Sequence, residues 1–172
     1  MTQISPTIKI LSSYRKSESR NTGSRPDKII SEVRCCEQHI SVNFYEGEIT
    51  ALLGHNGAGK TTTMSMLTGM IPANSGKVIV DGYNTFENME EFRQSLGLCP
   101  QHNLLFSFLT TLEHLIFFGL LKGLSREQAH SEAMHLMELQ NISNKANVLP
   151  DKLSGGMKRK LSLAIALIGG PR

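Results

Sequence analysis

An α/β fold built around a phosphate-binding loop is what this sequence predicts, on three observations. The stretch from Gly54 through His55, Asn56, Gly57, Ala58, Gly59, Lys60 and Thr61 fits G-x-x-x-x-G-K-[ST]. The apolar residues before it have the texture of a strand, and those after it the spacing of a helix. From Thr110 onward, strands mixed with helices give way to helices alone.

Taken in order, residues 7–11 form a plausible edge strand. Residues 15–28 are polar, charged and without periodicity, so a mobile loop is expected there. Strand character resumes over residues 29–44, and Tyr45 to Gly47 turn into a short buried strand over residues 48–53. A helix is predicted over residues 61–69, ended by Gly69 and kept from resuming by Pro72. A turn at residues 74–76, a strand at 77–80 and a turn at Asp81-Gly82 follow. Residues 87–94 read as a short helix and 95–99 as a strand closed by Pro100. Two capping boxes, Thr110 with Glu113 and Ser125 with Gln128, announce the next two helices. A last helix is predicted over residues 158–168, behind Leu153-Ser154-Gly155-Gly156-Met157.

The loop chemistry follows from its residue types. Glycines let the backbone close on an anion without side chains in the way. Successive N–H groups at a helix N-terminus, where the dipole places about half a positive charge, favour a polyphosphate. Lys60 then reaches the β- and γ-phosphates and the Thr61 hydroxyl holds Mg²⁺. Four matched positions arise by chance in roughly one chain of this length in a hundred. The flanking strand and helix therefore carry the assignment. Ser154, Gly155 and Gly156 repeat the idea at a second helix start, where an ordinary serine cap is the alternative.

Composition narrows the classes. A chain of 172 residues with 40% apolar and 19% charged content is one domain's worth of globular protein. A net charge of +3 is too mild for a nucleic-acid partner, and Lys158-Arg159-Lys160 with Lys152 reads as a solvated helix face. Cys35, Cys36 and Cys99 lack C-x-x-C spacing, which points to reduced thiols. His130 and His135 miss the H-E-x-x-H spacing, and no transition metal is assigned. The longest apolar stretches, 115–121 and 161–170, fall short of the roughly 20 residues that span a bilayer, and no secretory segment follows Met1. Asn144-Lys145-Ala146-Asn147 lacks the last aspartate of a guanine-reading N-K-x-D.

The loop at 54–61, Gln101 closing "LGLCPQ", and "LSGGMKRKLS" from Leu153 to Ser162 occur in one order and spacing. Together they resemble the Walker A, Q-loop and signature motifs of the nucleotide-binding domain of ATP-binding cassette (ABC) transporters. "NFYEGEITALLGHNGAGKTTTMSMLTG" and "CPQHNLLF" resemble subfamily A, the large lipid exporters, most closely their first nucleotide-binding domain. Met157 at the fifth signature position fits that subfamily. The resemblance covers residues 8–172 apart from the polar loop.

It implies a P-loop NTPase (ABC-type ATPase) core with an inserted α-helical subdomain: residues 1–101 the β-rich and P-loop portion, 102–156 the helical subdomain, 157–172 the signature helix. It implies ATP and Mg²⁺, with Tyr14, Gly54, Asn56, Gly57, Ala58, Gly59, Lys60, Thr61 and Thr62 binding nucleotide. Lys60 and Gln101 are the catalytic candidates, and Thr61 and Gln101 the Mg²⁺ contacts. Ser154, Gly155 and Gly156 cap a nucleotide held by a second nucleotide-binding domain, met head to tail. Transmembrane domains are the other implied partner, at the cytoplasmic face of a membrane. Leu104-Leu105-Phe106 either report to them or pack in the core.

The implied function is coupling of ATP binding and hydrolysis to lipid transport. The alternative is a catalytically silent nucleotide-binding or regulatory module that pairs with intact domains. In the family an apolar strand ending in Asp-Glu follows the signature helix, and the 172 residues stop before it; Glu90-Glu91 ends no apolar strand. The C-terminal strands of the sheet are thus expected to be missing. The chain alone is expected to lack turnover and, with unpaired inner strand edges, to be unstable or prone to aggregation.

Overall fold

The computed structural model describes residues 9–13, 28–35, 38–45, 49–73, 75–80, 83–84 and 86–170. The chain divides into two compact units, Met1–Phe92 and Arg93–Arg172. The polar loop expected at 15–28 lies outside the described residues up to 27, as does Tyr14.

The first unit is strand-rich. β1 (Lys9–Ser13) pairs antiparallel with β4 (Ile49–Leu53), Lys9 opposite Leu53. The strand texture over 29–44 resolves into a hairpin, β2 (Lys28–Cys35) with β3 (Gln38–Tyr45), Cys35 opposite Gln38. β5 (Ser75–Val80) lies on the other edge of β2, and β6 (Tyr83–Asn84) follows it, giving the order β3-β2-β5-β6. α1 (Lys60–Leu67) packs on β2. Met66 and Leu67 of α1 and Val78 of β5 are buried together, with Phe44, Ala73 and Phe86 against them. Each such large apolar side chain contributes about 1.5–3 kcal/mol when fully buried, and here that contribution anchors the helix behind the phosphate loop.

Three expectations are corrected. β4 is not buried: Ile49 is 79% and Leu53 45% exposed. Among the described residues its sheet has two strands, and along β4 Thr50 and Leu52 are half-buried while Ile49, Ala51 and Leu53 are exposed. Ser75 and Gly76 do not turn but extend within β5, opposite Arg34 and Val33, because pairing with β2 overrides the local turn signal. Residues 95–99 form no strand: α2 (Met89–Ser95) takes up Ser95, and 96–100 are irregular. A strand requires a neighbour for its donors and acceptors, and none pairs there among the described residues.

The second unit is helical. Both capping boxes form. The Thr110 hydroxyl accepts from the Glu113 N–H at 3.3 Å while Glu113 Oε2 accepts from the Thr110 N–H at 2.7 Å, starting α3 (Thr111–Leu121). Ser125 and Gln128 exchange the equivalent bonds at 3.2 and 2.9 Å, starting α4 (Arg126–Leu139). α5 (Gly155–Leu167) packs against both. Leu115, Met137, Ile142, Leu161 and Ile168 are buried in their common core. Gly119 lets α3 and α4 approach closely: a Cβ there would stand 2.9 Å from Ala129 Cβ.

Polar groups in this unit are tied off. The N–H groups of Thr111 and Leu112 donate to the carbonyls of Val148 and Ala146, fastening the chain that leads to Ser154 onto the start of α3. Lys122 Nζ donates to the Ile168 carbonyl at 2.7 Å, a cation at the C-terminal end of α5, and Glu132 accepts from the Gly169 N–H at 3.0 Å. Burial lowers the Lys122 pKa from its ordinary value, against the opposing pull of Glu132. Among the described residues no helix is long and apolar enough to cross a membrane.

Candidate functional site

The phosphate loop joins β4 to α1 within the first unit. Gly57 and Gly59 have φ of +85° and +83°, in the left-handed region where other residues are strained. A Cβ on either would meet no atom within 4 Å. The space over the loop is therefore open, and conformation, not crowding, demands glycine there. The Ala58 N–H donates to the His55 carbonyl at 3.2 Å, closing the turn, and Ala58 is buried.

α1 begins without a side-chain cap and with no acidic residue in its first turn; its N-cap is Gly59. The Thr63 N–H donates to the Gly59 carbonyl at 2.8 Å as the first helical bond. The N–H groups of Lys60, Thr61 and Thr62, one turn earlier, are the ones a helix leaves unsatisfied. Such an end is an anion site.

Lys60 Nζ folds back over the loop, donating to the carbonyls of Gly54 at 2.6 Å and His55 at 2.8 Å. An ammonium has three donors, so one remains for a ligand. Thr61, Thr62, Asn56 and Gly54 are exposed on the same segment. The residues from Gly54 to Thr62 are thus gathered in one loop and helix start. The donor set fits a magnesium-bound triphosphate: main-chain N–H groups and an ammonium for phosphate oxygens, a hydroxyl at Thr61 for the metal.

Sequence reasoning missed Thr63. It is 1% exposed, and its hydroxyl donates to the Gly59 carbonyl at 3.0 Å, pinning the loop to the helix. The habit of helical threonines of bonding to the carbonyl four residues back was the available signal.

Tyr14 lies outside the described residues, and the remaining candidates are in the second unit. Gln101 is exposed in the irregular stretch after α2. Ser154 caps α5 in extended conformation, its hydroxyl accepting from the Met157 N–H at 3.3 Å. The Lys158 N–H donates to the Ser154 carbonyl at 2.9 Å. That leaves Gly155 and Gly156 to present their N–H groups, both exposed and with nothing within 4 Å of an added Cβ.

The basic run is largely exposed, as expected of a solvated face, and two of its side chains also bond to main-chain carbonyls. Arg159 Nη1 donates to the Pro100 carbonyl and lies 3.5 Å from that of Gln101, and Lys160 Nζ donates to the Gln140 carbonyl at 2.9 Å. The reason is placement: α5 runs beside carbonyls that no helix or sheet satisfies. Leu104 is 69% and Phe106 40% exposed, while Leu105 packs on the core. Phe106 sits among Phe108, Phe117 and Phe118 and receives order from His114, fully buried, whose Nε2 accepts from the Phe106 N–H at 2.9 Å.

The chain is similar to the human "Phospholipid-transporting ATPase ABCA3", 48% identical over 149 residues, covering 87% of this chain and 9% of that protein. To the human "Retinal-specific phospholipid-transporting ATPase ABCA4" it is 52% identical over 130 residues, 76% of this chain and 6% of that protein. The chain therefore spans less than about a tenth of the length of these curated relatives. Among solved structures, cbiO1 from Clostridium perfringens, described as part of the ABC transporter complex cbiONQ, superposes with a TM-score of 0.71. The identity is 22%, over 85% of this chain and 62% of that one. This likeness shows the fold, that of an ABC ATP-binding subunit. The family model described as "ABC transporter" matches residues 38–172, and with the loop, Gln101 and the signature helix placed as above, the chain belongs to the ABC transporter family.

Proposed function

We propose that the chain binds ATP with Mg²⁺ and serves as the energy-coupling part of a lipid-transporting ABC protein. The observation that carries the reading is the uncapped N-terminus of α1 beneath Gly57 and Gly59 at positive φ, with the Lys60 ammonium folded over it. Main-chain N–H groups of residues 57–62 hold the phosphates, and Lys60 orients the terminal ones. Thr61 holds Mg²⁺, which when bound neutralises charge on the phosphate oxygens. Gln101 would be a further contact for the metal, and Tyr14 one for the base, as the family resemblance implies. Ser154, Gly155 and Gly156 receive the nucleotide of a second such domain. A helix end facing solvent is a weak anion site, and becomes strong when a partner's triphosphate excludes water.

Hydrolysis belongs to the intact domain. For these 172 residues the reading is nucleotide binding. Transport of lipid is the reading supported by the relatives' printed names. The exposed Leu104 and Phe106 then face the membrane-embedded partner, at the cytoplasmic side.

Calorimetric titration of the full chain with ATP tests the site. Saturable binding strengthened by Mg²⁺, and weakened in that Mg²⁺ dependence by Thr61→Val, is expected. A chain with intact far-UV circular dichroism that takes up no ATP with Mg²⁺ overturns the proposal.

A further inference from the structure

The strongest unassigned feature is the pair of side chains that α5 turns toward residues 100–103. Arg159 and Ser162 stand three residues apart and so share one face of the helix. Arg159 Nη1 donates to the Pro100 carbonyl and approaches the Gln101 carbonyl at 3.5 Å. The Ser162 hydroxyl, 6% exposed, lies 3.1 Å from Asn103 Oδ1 and 3.0 Å from the Lys158 carbonyl, within donating reach of both. Residues 96–100 are in no helix or strand, so their carbonyls have no ladder to join. Arg159 reaches two successive carbonyls through one guanidinium nitrogen.

We infer that Arg159 and Ser162 are positioning residues that fasten the chain around Gln101 to α5, Arg159 through the main-chain carbonyls of Pro100 and Gln101 and Ser162 through the Asn103 side chain, so that the signature helix sets where Gln101 stands. The inference rests on the role proposed above for Gln101 and for the N-terminus of α5. Its physical content is rigidity. A helix whose N-cap is Ser154 and whose next turns carry Arg159 and Ser162 moves as one body, and the 100–103 segment goes with it. Any displacement that a nucleotide imposes at Ser154 is thereby passed to Gln101 through two side chains of the same helix.

Hydrogen-exchange mass spectrometry on the full chain tests this without requiring turnover. Arg159→Met keeps the apolar stem and removes the donor. The peptide spanning 97–106 is expected to exchange about fivefold faster, with peptides from α3 and α4 unchanged. Arg159→Lys restores part of the protection, since its ammonium can still donate to a main-chain carbonyl, and Ser162→Ala adds to the loss at 101–104. ATP affinity stays at the wild-type value in Arg159→Met, because Lys60 and its loop are untouched. Unaltered exchange at 97–106 in Arg159→Met, or acceleration spread equally over α3 and α4, overturns the inference. Absence of ATP binding in the wild-type chain sinks the nucleotide reading instead and leaves the exchange result to be judged by itself.

Discussion

Replacing Lys60 by methionine separates the role of its charge from that of its stem. In the structure the ammonium spends two donors on the carbonyls of Gly54 and His55, at 2.6 and 2.8 Å. The third is left for a phosphate oxygen. One hydrogen bond to a charged group is worth a net of about 1.5–3 kcal/mol. At about 1.4 kcal/mol per factor of ten, Lys60→Met is expected to weaken ATP binding by roughly 10- to 150-fold. Binding is not abolished, because the main-chain donors at the start of α1 remain. Stability should change little: both carbonyls lie on exposed residues, where water replaces the lost donor, so a cost below about 1 kcal/mol is expected. The assay is titration of ATP with Mg²⁺ into wild type and variant at one ionic strength, since screening alters exposed charges, with urea midpoints recorded on the same samples. Equal affinities refute the reasoning. So does a loss of affinity that tracks a lowered urea midpoint, which would show the lysine to be a strut and not a ligand.

Three other outcomes are expected. Gly119→Ala gains about 1 kcal/mol of helix propensity but forces a Cβ to 2.9 Å from Ala129 Cβ and 3.3 Å from Ile168 Cδ1. Overpacking of about 1–3 kcal/mol should therefore lower the urea midpoint, and an unchanged or raised midpoint counts against this packing. The Glu113 carboxyl is held below its ordinary value of 4.5 first by the Thr110 N–H and then by the Thr110 hydroxyl, so its stabilising effect is present above 4.5 and fades as pH falls through the lowered value. Exchange protection of the first turn of α3 should fall across that acid window in wild type and lose this component in Glu113→Gln. Ser154→Ala removes the cap of α5 and should cost about 1 kcal/mol in chemical denaturation, while ATP affinity of a single chain stays the same and nucleotide-dependent pairing, read by light scattering, is reduced.

The sequence by itself determined whatever depends on neighbours a few residues away. Both capping boxes, Thr110 with Glu113 and Ser125 with Gln128, formed as their spacing predicts, because a cap is a contract between residues three apart. Gly57 and Gly59 took positive φ for the same local reason, and Ser154 became the cap of α5. Family membership was legible because three motifs with fixed internal spacing stood in one order.

Tertiary structure decided what depends on distant partners. Ser75 and Gly76 carry turn signals yet extend, since β2, some 40 positions earlier, offers them a ladder. Residues 95–99 have strand composition yet form none, Ser95 ending α2 and 96–99 staying irregular, since nothing pairs with them among the described residues. β4 is apolar yet exposed, because burial is supplied by a covering layer and not by the strand. Arg159 read as one charge in a solvated run; only the packing of α5 beside Pro100 and Gln101, 59 and 58 residues away, gave its guanidinium two carbonyls to hold.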